Sequence, residues 1–279
     1  HEMMLDENTT EVNLRERGIS AIDFSELSDC TSLERLNLSR NELSDIISIP
    51  FDKLRKLKLL DLNHNRLEGV DFSQLKDLEQ LKVISLSYNP LGDIDISPLS
   101  KHTSLLVVRL TKTGRKKVDL SFARSCPNLR EFSVAFNEIE SVSLLPIGDC
   151  LHLETLLLNR NHLCEIDLNP LSKLSQLKTL NLSDNKLTEI NLESLSSCFG
   201  LYSLVLSKNQ LKSIDLHPLH SLSNLRGIDL RGNNLSSIDL TSVRSRDNMF
   251  HIDLRDNPLT EVLDVPGGGR ARLLLGNKD

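Results

Sequence analysis

Seven aspartates recur at one fixed place along the 279-residue chain, and their type and spacing could hold a metal ion. They are Asp23, Asp71, Asp95, Asp119, Asp167, Asp215 and Asp239. Stacked carboxylates are ligands that a hard cation such as Ca²⁺ prefers. The same place also holds Asn191 and Ser143, which keep a hydrogen-bonding oxygen but lose the charge. These two favour a local turn, in which the side chain bonds to the backbone ahead of a helical segment, over the alternative of a cation site.

The histidines, cysteines and serines do not show the spacing of a catalytic site or of a metal site. Among the histidines only His217 and His220 are near neighbours, and their spacing indicates a surface pair rather than a zinc site. No Ser/His/Asp or Cys/His combination stands out. We therefore expect no enzyme, no catalytic residues, no cofactor and no bound metal. A hydrolase or a metal-dependent enzyme built on the same frame is the weaker alternative.

The last four residues, 276–279, read GNKD and match the beginnings of two nucleotide-binding motifs. A strand followed by G-x-x-x-x-G-K cradles phosphate, and N-K-x-D binds guanine. The sequence stops before the second Gly and its Lys, so both matches are incomplete. A plain polar tail is the simpler interpretation.

The composition is typical of a globular protein whose core is built from leucine. Hydrophobic residues make up 39% of the chain, aromatic residues only 4%, and there is no Trp. The formal net charge of -6 argues against a general nucleic-acid binder, which would be basic. No apolar run approaches the ~20 residues of a membrane span. We therefore expect neither nucleic acid nor membrane among the partners.

Four of the five cysteines fall at one place of a repeating pattern, which Leu fills in other copies. These are Cys30, Cys126, Cys150 and Cys198, whereas Cys164 stands at another place where we expect exposure. Free Cys behaves as a small hydrophobic side chain, so we predict that these four thiols are buried in the core. Unpaired thiols predict a reducing, cytoplasmic location.

A single skeleton, L-x-x-L-x-L-x-x-N-x-L, organises the chain and recurs every 24 residues. Its asparagine is present at Asn41, Asn65, Asn89, Asn137, Asn161, Asn185, Asn209, Asn233 and Asn257. Counting 24 residues onward from Asn89 reaches Thr113, and counting 24 back from Asn41 reaches Arg17, both in weakened copies. The chain therefore carries eleven units in one unbroken phase.

This pattern resembles the leucine-rich repeat family over about residues 10–260. The resemblance implies an α/β fold: a right-handed leucine-rich repeat solenoid, or horseshoe, with a parallel concave β-sheet and short helical segments on the convex side. The residues agree, because apolar residues alternate in each copy as in a strand with one buried face, and stacked copies bury that face. We expect a leucine-rich repeat domain with an N-terminal cap over residues 1–265, and a linker or capping strand over residues 266–279.

Two other positions of the repeat predict local structure: the bend after each strand and the start of each helical segment. A buried Asn carboxamide can donate and accept at the bend after each strand, which predicts a ladder between neighbouring copies. Proline at a first helical position marks a helix start, and six prolines share one place: Pro50, Pro98, Pro146, Pro170, Pro218 and Pro266. Ser97 and Asn169 precede two of these prolines and are predicted to cap the helical segments.

The strand positions between the core leucines point to solvent, and there the sequence predicts a protein-binding site. The predicted partner-binding residues are Leu59, His64, Val83, Tyr88, Val107, Arg109, Lys112, Phe136, Leu157 and Arg160. Clustered apolar and aromatic residues beside Arg and Lys are typical of an interface centre. Ordinary strand preference for exposed Val and Leu is the alternative. A basic cluster is also predicted to select an acidic segment of the partner, through Arg109, Lys112, Arg115, Lys116 and Lys117.

The predicted function is a protein–protein interaction module or scaffold that binds a protein partner on its concave face. The alternative is the regulatory leucine-rich repeat arm of a larger Roco-like GTPase, in which GNKD would lead into the next domain. The resemblance implies binding but names no ligand, because one fold hosts many functions.

Overall fold

The chain divides into two compact units, residues 1–137 (unit 1) and residues 138–279 (unit 2). This computed structural model describes residues 5–20, 24–244 and 251–263, and the backbone of residues 272–274. Asp23, Pro266 and the GNKD motif lie outside the described residues. In the described part of the chain, no helix is both long enough and apolar enough to cross a lipid bilayer.

In its described part, unit 1 contains one parallel sheet of six short strands, bonded in chain order. The strands are β1 (Glu11–Asn13), β2 (Arg35–Asn37), β3 (Leu59–Asp61), β4 (Val83–Ser85), β5 (Val107–Arg109) and β6 (Glu131–Ser133). Each connection between strands runs along the side of the repeat away from the sheet. There the chain forms 3₁₀-helices at Ser25–Asp29, Phe72–Leu75, Ser97–Lys101 and Ser121–Ser125.

Unit 2 repeats this arrangement. Its strands are β7 (Thr155–Leu157), β8 (Thr179–Asn181), β9 (Ser203–Val205), β10 (Gly227–Asp229), β11 (Ser237–Asp239), β12 (His251–Asp253), β13 (Glu261–Leu263) and β14 (Arg272–Leu274). Strands β7 to β10, β12 and β14 are parallel neighbours, and β11 pairs separately with β13. The helical segments are 3₁₀-helices at Leu145–Asp149, Asn169–Lys173, Glu193–Ser197 and His217–Leu219, and an α-helix at Thr241–Arg244.

The 24-residue period becomes the register of the sheet. Leu59 lies opposite Val83, and Val83 lies opposite Val107. The middle residue of each strand points inward, so that Leu60 and Ile84 are fully buried. Because one strand face is covered by the stacked repeats and the other is open, each unit confirms the predicted leucine-rich repeat solenoid. Each unit thus carries an open sheet face opposite its helical side.

The predicted asparagine ladder is confirmed in both units. In unit 1, the Asn89 Nδ2 group donates to the carbonyl oxygens of Leu62 and Leu86, at 2.9 and 3.0 Å. Its Oδ1 atom accepts from the backbone N–H of Leu67 at 3.1 Å. One carboxamide therefore satisfies three backbone groups at the bend. Thr113 replaces Asn in the weakened repeat, and its hydroxyl reaches Leu110 O and Asn137 Oδ1.

The aspartate column forms local turns, as the favoured interpretation predicts. The Asp95 Oδ1 atom accepts from the backbone N–H of Ser97 at 2.9 Å, and Asn191 makes the same bond to Glu193 at 2.8 Å. The prediction that Ser97 and Asn169 act as caps is wrong. Both are the first residues of their 3₁₀-helices, and the side chain that receives the free N–H belongs to the aspartate two residues earlier.

The proline prediction holds for four of the six prolines. Pro98, Pro146, Pro170 and Pro218 stand in the first turn of a 3₁₀-helix. Pro50 lies instead in a segment of turns, and Pro266 lies outside the described residues. The Ile46 to Leu54 segment closes by bonds such as Lys53 N–H to Pro50 O, at 2.9 Å. The second repeat is therefore built differently on its helical side.

The cysteine prediction is confirmed. Cys30, Cys126, Cys150 and Cys198 are buried free thiols, and Cys164 is an exposed free thiol. Burial raises the pKa of Cys126 and Cys198 to about 11. His102 occupies the same place in its repeat and is also buried, with its Nδ1 atom 3.1 Å from Leu78 O.

Candidate functional site

One residue per repeat, immediately before the ladder asparagine or the residue that replaces it, has a left-handed backbone conformation. In unit 1 we call these residues the αL column: Glu16, Arg40, His64, Tyr88, Lys112 and Phe136, with φ between 53° and 60°. Such angles are uncommon for residues other than Gly and cost roughly 1–2 kcal/mol. The backbone N–H of Tyr88 donates to Thr111 O at 2.7 Å, so the sheet bonding of the next repeat holds the conformation.

Three successive members of the column contact one another through their side chains. The rings of His64 and Tyr88 are stacked, with centroids 4.1 Å apart and planes inclined by 9°. The Lys112 Nζ atom lies 5.5 Å from the centroid of the Tyr88 ring, within the range of a cation–π contact. Tyr88 and Phe136 are each 37% exposed. The structure thus brings three of the predicted residues, His64, Tyr88 and Lys112, into one ordered row.

The pKa of His64 lies below its usual value. Partial burial of the ring is the main cause, and the positive charges of Arg40, Arg15 and Lys112 act in the same direction. His64 therefore presents a neutral ring to Tyr88 near pH 7.

An apolar row runs beside the αL column on the open sheet face of unit 1. It consists of Leu59, Val83 and Val107, which are direct neighbours on β3, β4 and β5 and are half-buried. The serines between this row and the column, Ser85 and Ser87, are buried. Because these serines are small and buried, the apolar row and the aromatic rings protrude further from the sheet than the residues between them.

Arg109 is committed to an ion pair inside the sheet. Its Nε and Nη2 atoms donate to the two carboxylate oxygens of Glu131, at 2.6 and 2.7 Å. This bidentate pair raises the pKa of Arg109 and compensates its charge. Glu131 is not among the residues that the sequence predicts for the site, although its place at the start of the next strand, beside Arg109, was a signal for this pair.

The predicted basic cluster is only partly a surface feature, because Arg115 is buried whereas Lys112, Lys116 and Lys117 are exposed. Arg115 is only 2% exposed because it occupies the core position that Leu fills in other repeats. Its Nη2 atom donates to Ile94 O at 2.7 Å. Lys116 and Lys117 follow it and donate their backbone N–H groups to Asp93. Of the five predicted cations, Lys112 is the one that lies in the αL column with an exposed side chain.

Two predicted site residues belong to unit 2. Leu157 is the last residue of β7 and is half-buried on the open sheet face of that unit. Arg160 occupies an αL position with φ 55°, and its Nε atom lies 3.3 Å from Asp184 Oδ2. Asp184 is itself the αL residue of the next repeat, so this place carries an ion pair in unit 2.

Groups that could do metal chemistry are not assembled among the described residues. No cluster of three or more His, Cys, Asp or Glu side chains there has the geometry to hold a metal ion. The oxygens of the aspartate column are engaged with local backbone groups instead, as at Asp71 and Asp215.

Profiles of a known protein family match parts of the repeat region. A leucine rich repeat profile matches residues 7–67 and 199–259, and a second leucine rich repeat profile matches residues 176–198. Together these matches cover just over half of the chain. A search of curated protein sequences gave no match.

Several solved structures are similar in fold. The functional domain of InlJ from Listeria monocytogenes has 18% identity and a TM-score of 0.66, over 96% of this chain and 64% of that one. The ectodomain of the Arabidopsis thaliana receptor kinase GASSHO1/SCHENGEN3, in complex with CASPARIAN STRIP INTEGRITY FACTOR 2, has 26% identity and a TM-score of 0.75, over 91% and 32%. TLR13 in a complex with ssRNA13 has 20% identity and a TM-score of 0.70, over 91% and 43%.

This chain thus spans between about a third and about two thirds of the length of those three proteins. Leucine-rich repeat domains are generally protein–protein interaction modules and typically have no enzymatic activity of their own. The repeat skeleton, the parallel strands with their asparagine ladder and the profile matches agree, and the chain belongs to the leucine-rich repeat family.

Proposed function

We propose that the chain is a protein-binding module, and that the open sheet face of unit 1, the concave face of the sequence analysis, receives a protein partner. The observation that supports this most strongly is the stack of His64, Tyr88 and Lys112 at consecutive αL positions. Exposed aromatic residues flanked by cations are typical binding hot spots.

The stack favours binding because its side chains are ordered before a partner arrives. The αL backbone fixes the direction in which each side chain leaves the chain, and the Tyr88 ring is held between His64 and Lys112. Ordering a flexible side chain on binding costs about 0.5–1.5 kcal/mol, and a ring already held in place avoids much of that cost.

The charge of the face indicates which partner residues fit. Lys112 has an exposed side chain, and in the described part of the chain no carboxylate lies within ion-pair distance of it. Arg109, by contrast, is already paired with Glu131. A partner segment that carries apolar side chains and one carboxylate would cover the apolar row and Tyr88, and would pair with Lys112.

The experiment compares capture of partners by the wild-type chain and by a Tyr88→Gly, Phe136→Gly double variant, with mass spectrometry as the readout. Gly fits the αL conformation, so the double variant loses both rings without a backbone penalty. Lys208→Gly, at an αL position of unit 2, is the matched control. We expect the double variant to lose partners that the wild type and the control retain.

Retention of every partner by the folded double variant would refute the assignment. A single-stranded RNA probe is included in the same assay, because TLR13 is similar in fold and its structure is a complex with RNA. If the chain binds the RNA probe and the double variant does not, the partner of this face is a nucleic acid rather than a protein. Leu157 and Arg160 remain predicted contact residues of unit 2, and their Ala variants belong in the same comparison.

We also propose a reducing, cytoplasmic location, which the exposed free thiol of Cys164 and the four buried free thiols support. Fractionation of cells that express the protein, with detection of Cys164 by a thiol-specific label, tests this location. Recovery of the protein with Cys164 blocked by a disulfide would contradict it.

A further inference from the structure

A groove lies on the helical side of unit 1, away from the open sheet face. It has a volume of about 610 Å³ and runs across the second, third and fourth repeats. Its apolar lining includes Ile47, Val70, Phe72 and Ile94. We call it the helical-side groove.

Two departures from the repeat pattern produce this groove. Ile47 stands where the aspartate column has a polar residue in most other copies, and it is 73% exposed. Gly69 stands where other copies carry side chains such as Asp93 and Lys117, and an added Cβ atom there would meet nothing within 4 Å. One repeat therefore adds an exposed apolar side chain, and the next omits a side chain beside it.

Most of the polar side chains of the groove are carboxylates. The carboxylates of Asp45, Asp71 and Asp95 line it. Gln74 also lines it, and the buried Oε1 atom of Gln74 receives no hydrogen bond from any described residue. An apolar floor beside three carboxylates and the unpaired Gln74 oxygen fits a donor that carries positive charge and an apolar stem.

The negative charge of the groove is only partly compensated from within the protein. The buried guanidinium of Arg115 acts on Asp93 and Asp95. Asp71 uses Oδ1 for the backbone N–H of Ser73, at 2.9 Å. In the described part of unit 1, no cation forms an ion pair with Asp45 or Asp71.

We propose that the helical-side groove binds a segment of a protein partner in which apolar side chains alternate with Lys or Arg. The apolar side chains cover Ile47, Val70 and Ile94, and the cations reach Asp71, Asp95 and the Gln74 oxygen. This site is separate from the αL column, whose unpaired cation selects a carboxylate, so the two surfaces of unit 1 recognise partners of opposite charge.

The experiment uses the full chain and a fluorescently labelled peptide of alternating Leu and Arg, followed by fluorescence anisotropy. Two companion peptides replace Arg by Glu, or Leu by Ser. We expect the Leu/Arg peptide to bind at least about tenfold more tightly than either companion, because both charge and apolar contact are required.

Three variants locate the binding. Gly69→Lys places a cation in the groove, Asp71→Asn removes a charge, and Ile47→Ser removes the apolar side chain. Each introduces a residue that the same place holds elsewhere, namely Lys117, Asn191 and Ser143, so the fold is retained. Asp119→Asn makes the same change as Asp71→Asn outside the groove and is the matched control. We expect Gly69→Lys to weaken peptide binding about tenfold or more, the other two to weaken it about threefold, and the control to leave it unchanged.

Equal binding of the Leu/Arg and Leu/Glu peptides, or an unchanged affinity in folded Gly69→Lys, would overturn the proposal. A concentration-dependent dimer that Gly69→Lys abolishes would overturn it in favour of a second copy of the chain. Tyr88→Gly should leave peptide binding unchanged. Loss of binding there would assign the peptide to the sheet face, so failure of this site and failure of the proposed function are distinguishable.

Discussion

The imidazole ring of His64 and the phenol ring of Tyr88 lie face to face, with centroids 4.1 Å apart and planes within 9° of parallel. The two residues are 24 positions apart in the sequence. They meet because both are αL residues, with φ of 55° and 59°, at the same point of neighbouring repeats. The stack therefore follows from the stacking of the repeats, and it predicts how His64 should titrate.

We expect His64 to titrate below 6.5, its unperturbed pKa. Because the folded-state pKa is lowered, the unfolded chain binds the proton more readily. The contribution of His64 to stability is therefore full above pH 6.5 and is lost as the pH falls from there through the folded pKa. An NMR titration of the ring, assigned with a His64→Gln variant, measures the midpoint.

Charge variants check the cause of this shift. Arg40→Gln should raise the midpoint of His64, and Lys112→Gln should raise it less, because the effect of Lys112 is the smaller. A midpoint at or above 6.5 in the wild type would contradict the structure.

The αL conformation predicts that Gly is tolerated at Arg40, which has φ 56°. Relief of backbone strain is worth roughly 1–2 kcal/mol, and the greater freedom of Gly in the unfolded chain offsets about 0.5–1 kcal/mol of it. Arg40→Gly should therefore leave the free energy of unfolding unchanged or raise it by up to about 1.5 kcal/mol. Urea denaturation measures the difference.

Arg35→Gly is the matched control for that prediction, because Arg35 is an exposed residue of β2 without a positive φ. Gly inside a strand should lower the free energy of unfolding by about 0.5–1 kcal/mol. Equal losses in the two variants would show that the αL position carries no strain.

The ladder asparagines predict a larger loss of stability at buried positions. In unit 2 the Asn185 Nδ2 group donates to Leu158 O and Leu182 O, at 3.1 and 3.0 Å, and its Oδ1 atom accepts from Leu163 N–H at 3.0 Å. Asn185→Ala leaves buried backbone groups unpaired and should cost roughly 1–3 kcal/mol.

Equilibrium urea melts of Asn185→Ala and of Asn234→Ala measure this cost. Asn234 is exposed, so its replacement should change stability by less than about 0.5 kcal/mol. Equal free energies of unfolding for the two variants would show that the ladder hydrogen bonds do not stabilise the fold.

The thiols predict a difference in reactivity between the folded and the unfolded chain. Cys164 is exposed, whereas the other four cysteines are buried, and burial raises the pKa of Cys126 and Cys198 to about 11. A thiol reagent should therefore modify one cysteine per native chain rapidly and all five after denaturation. Rapid native modification of Cys126, seen by peptide mass spectrometry, would contradict its burial.

Much of the candidate site was accessible from the sequence, because the repeat assigns each residue to a place. Alternation alone identified Leu59, Val83 and Val107 as neighbours on one face, and the structure pairs them in that order. The pairing of Arg109 with Glu131 was not identified, because the carboxylate comes from the next strand at a different place in the repeat. Arg115 was assigned to the surface by its charge, although its place in the repeat is a core position.

The sequence by itself determined the period, the core leucines, the buried thiols and the ladder asparagines, because burial and backbone hydrogen bonding restrict which residue each place accepts. Only the tertiary structure decided which free positions touch. The αL turn that directs Tyr88 onto His64, and the missing side chain at Gly69 that opens the helical-side groove, depend on how adjacent repeats stack. Residues 24 apart become neighbours only in that stack, and their contacts decide what a partner meets.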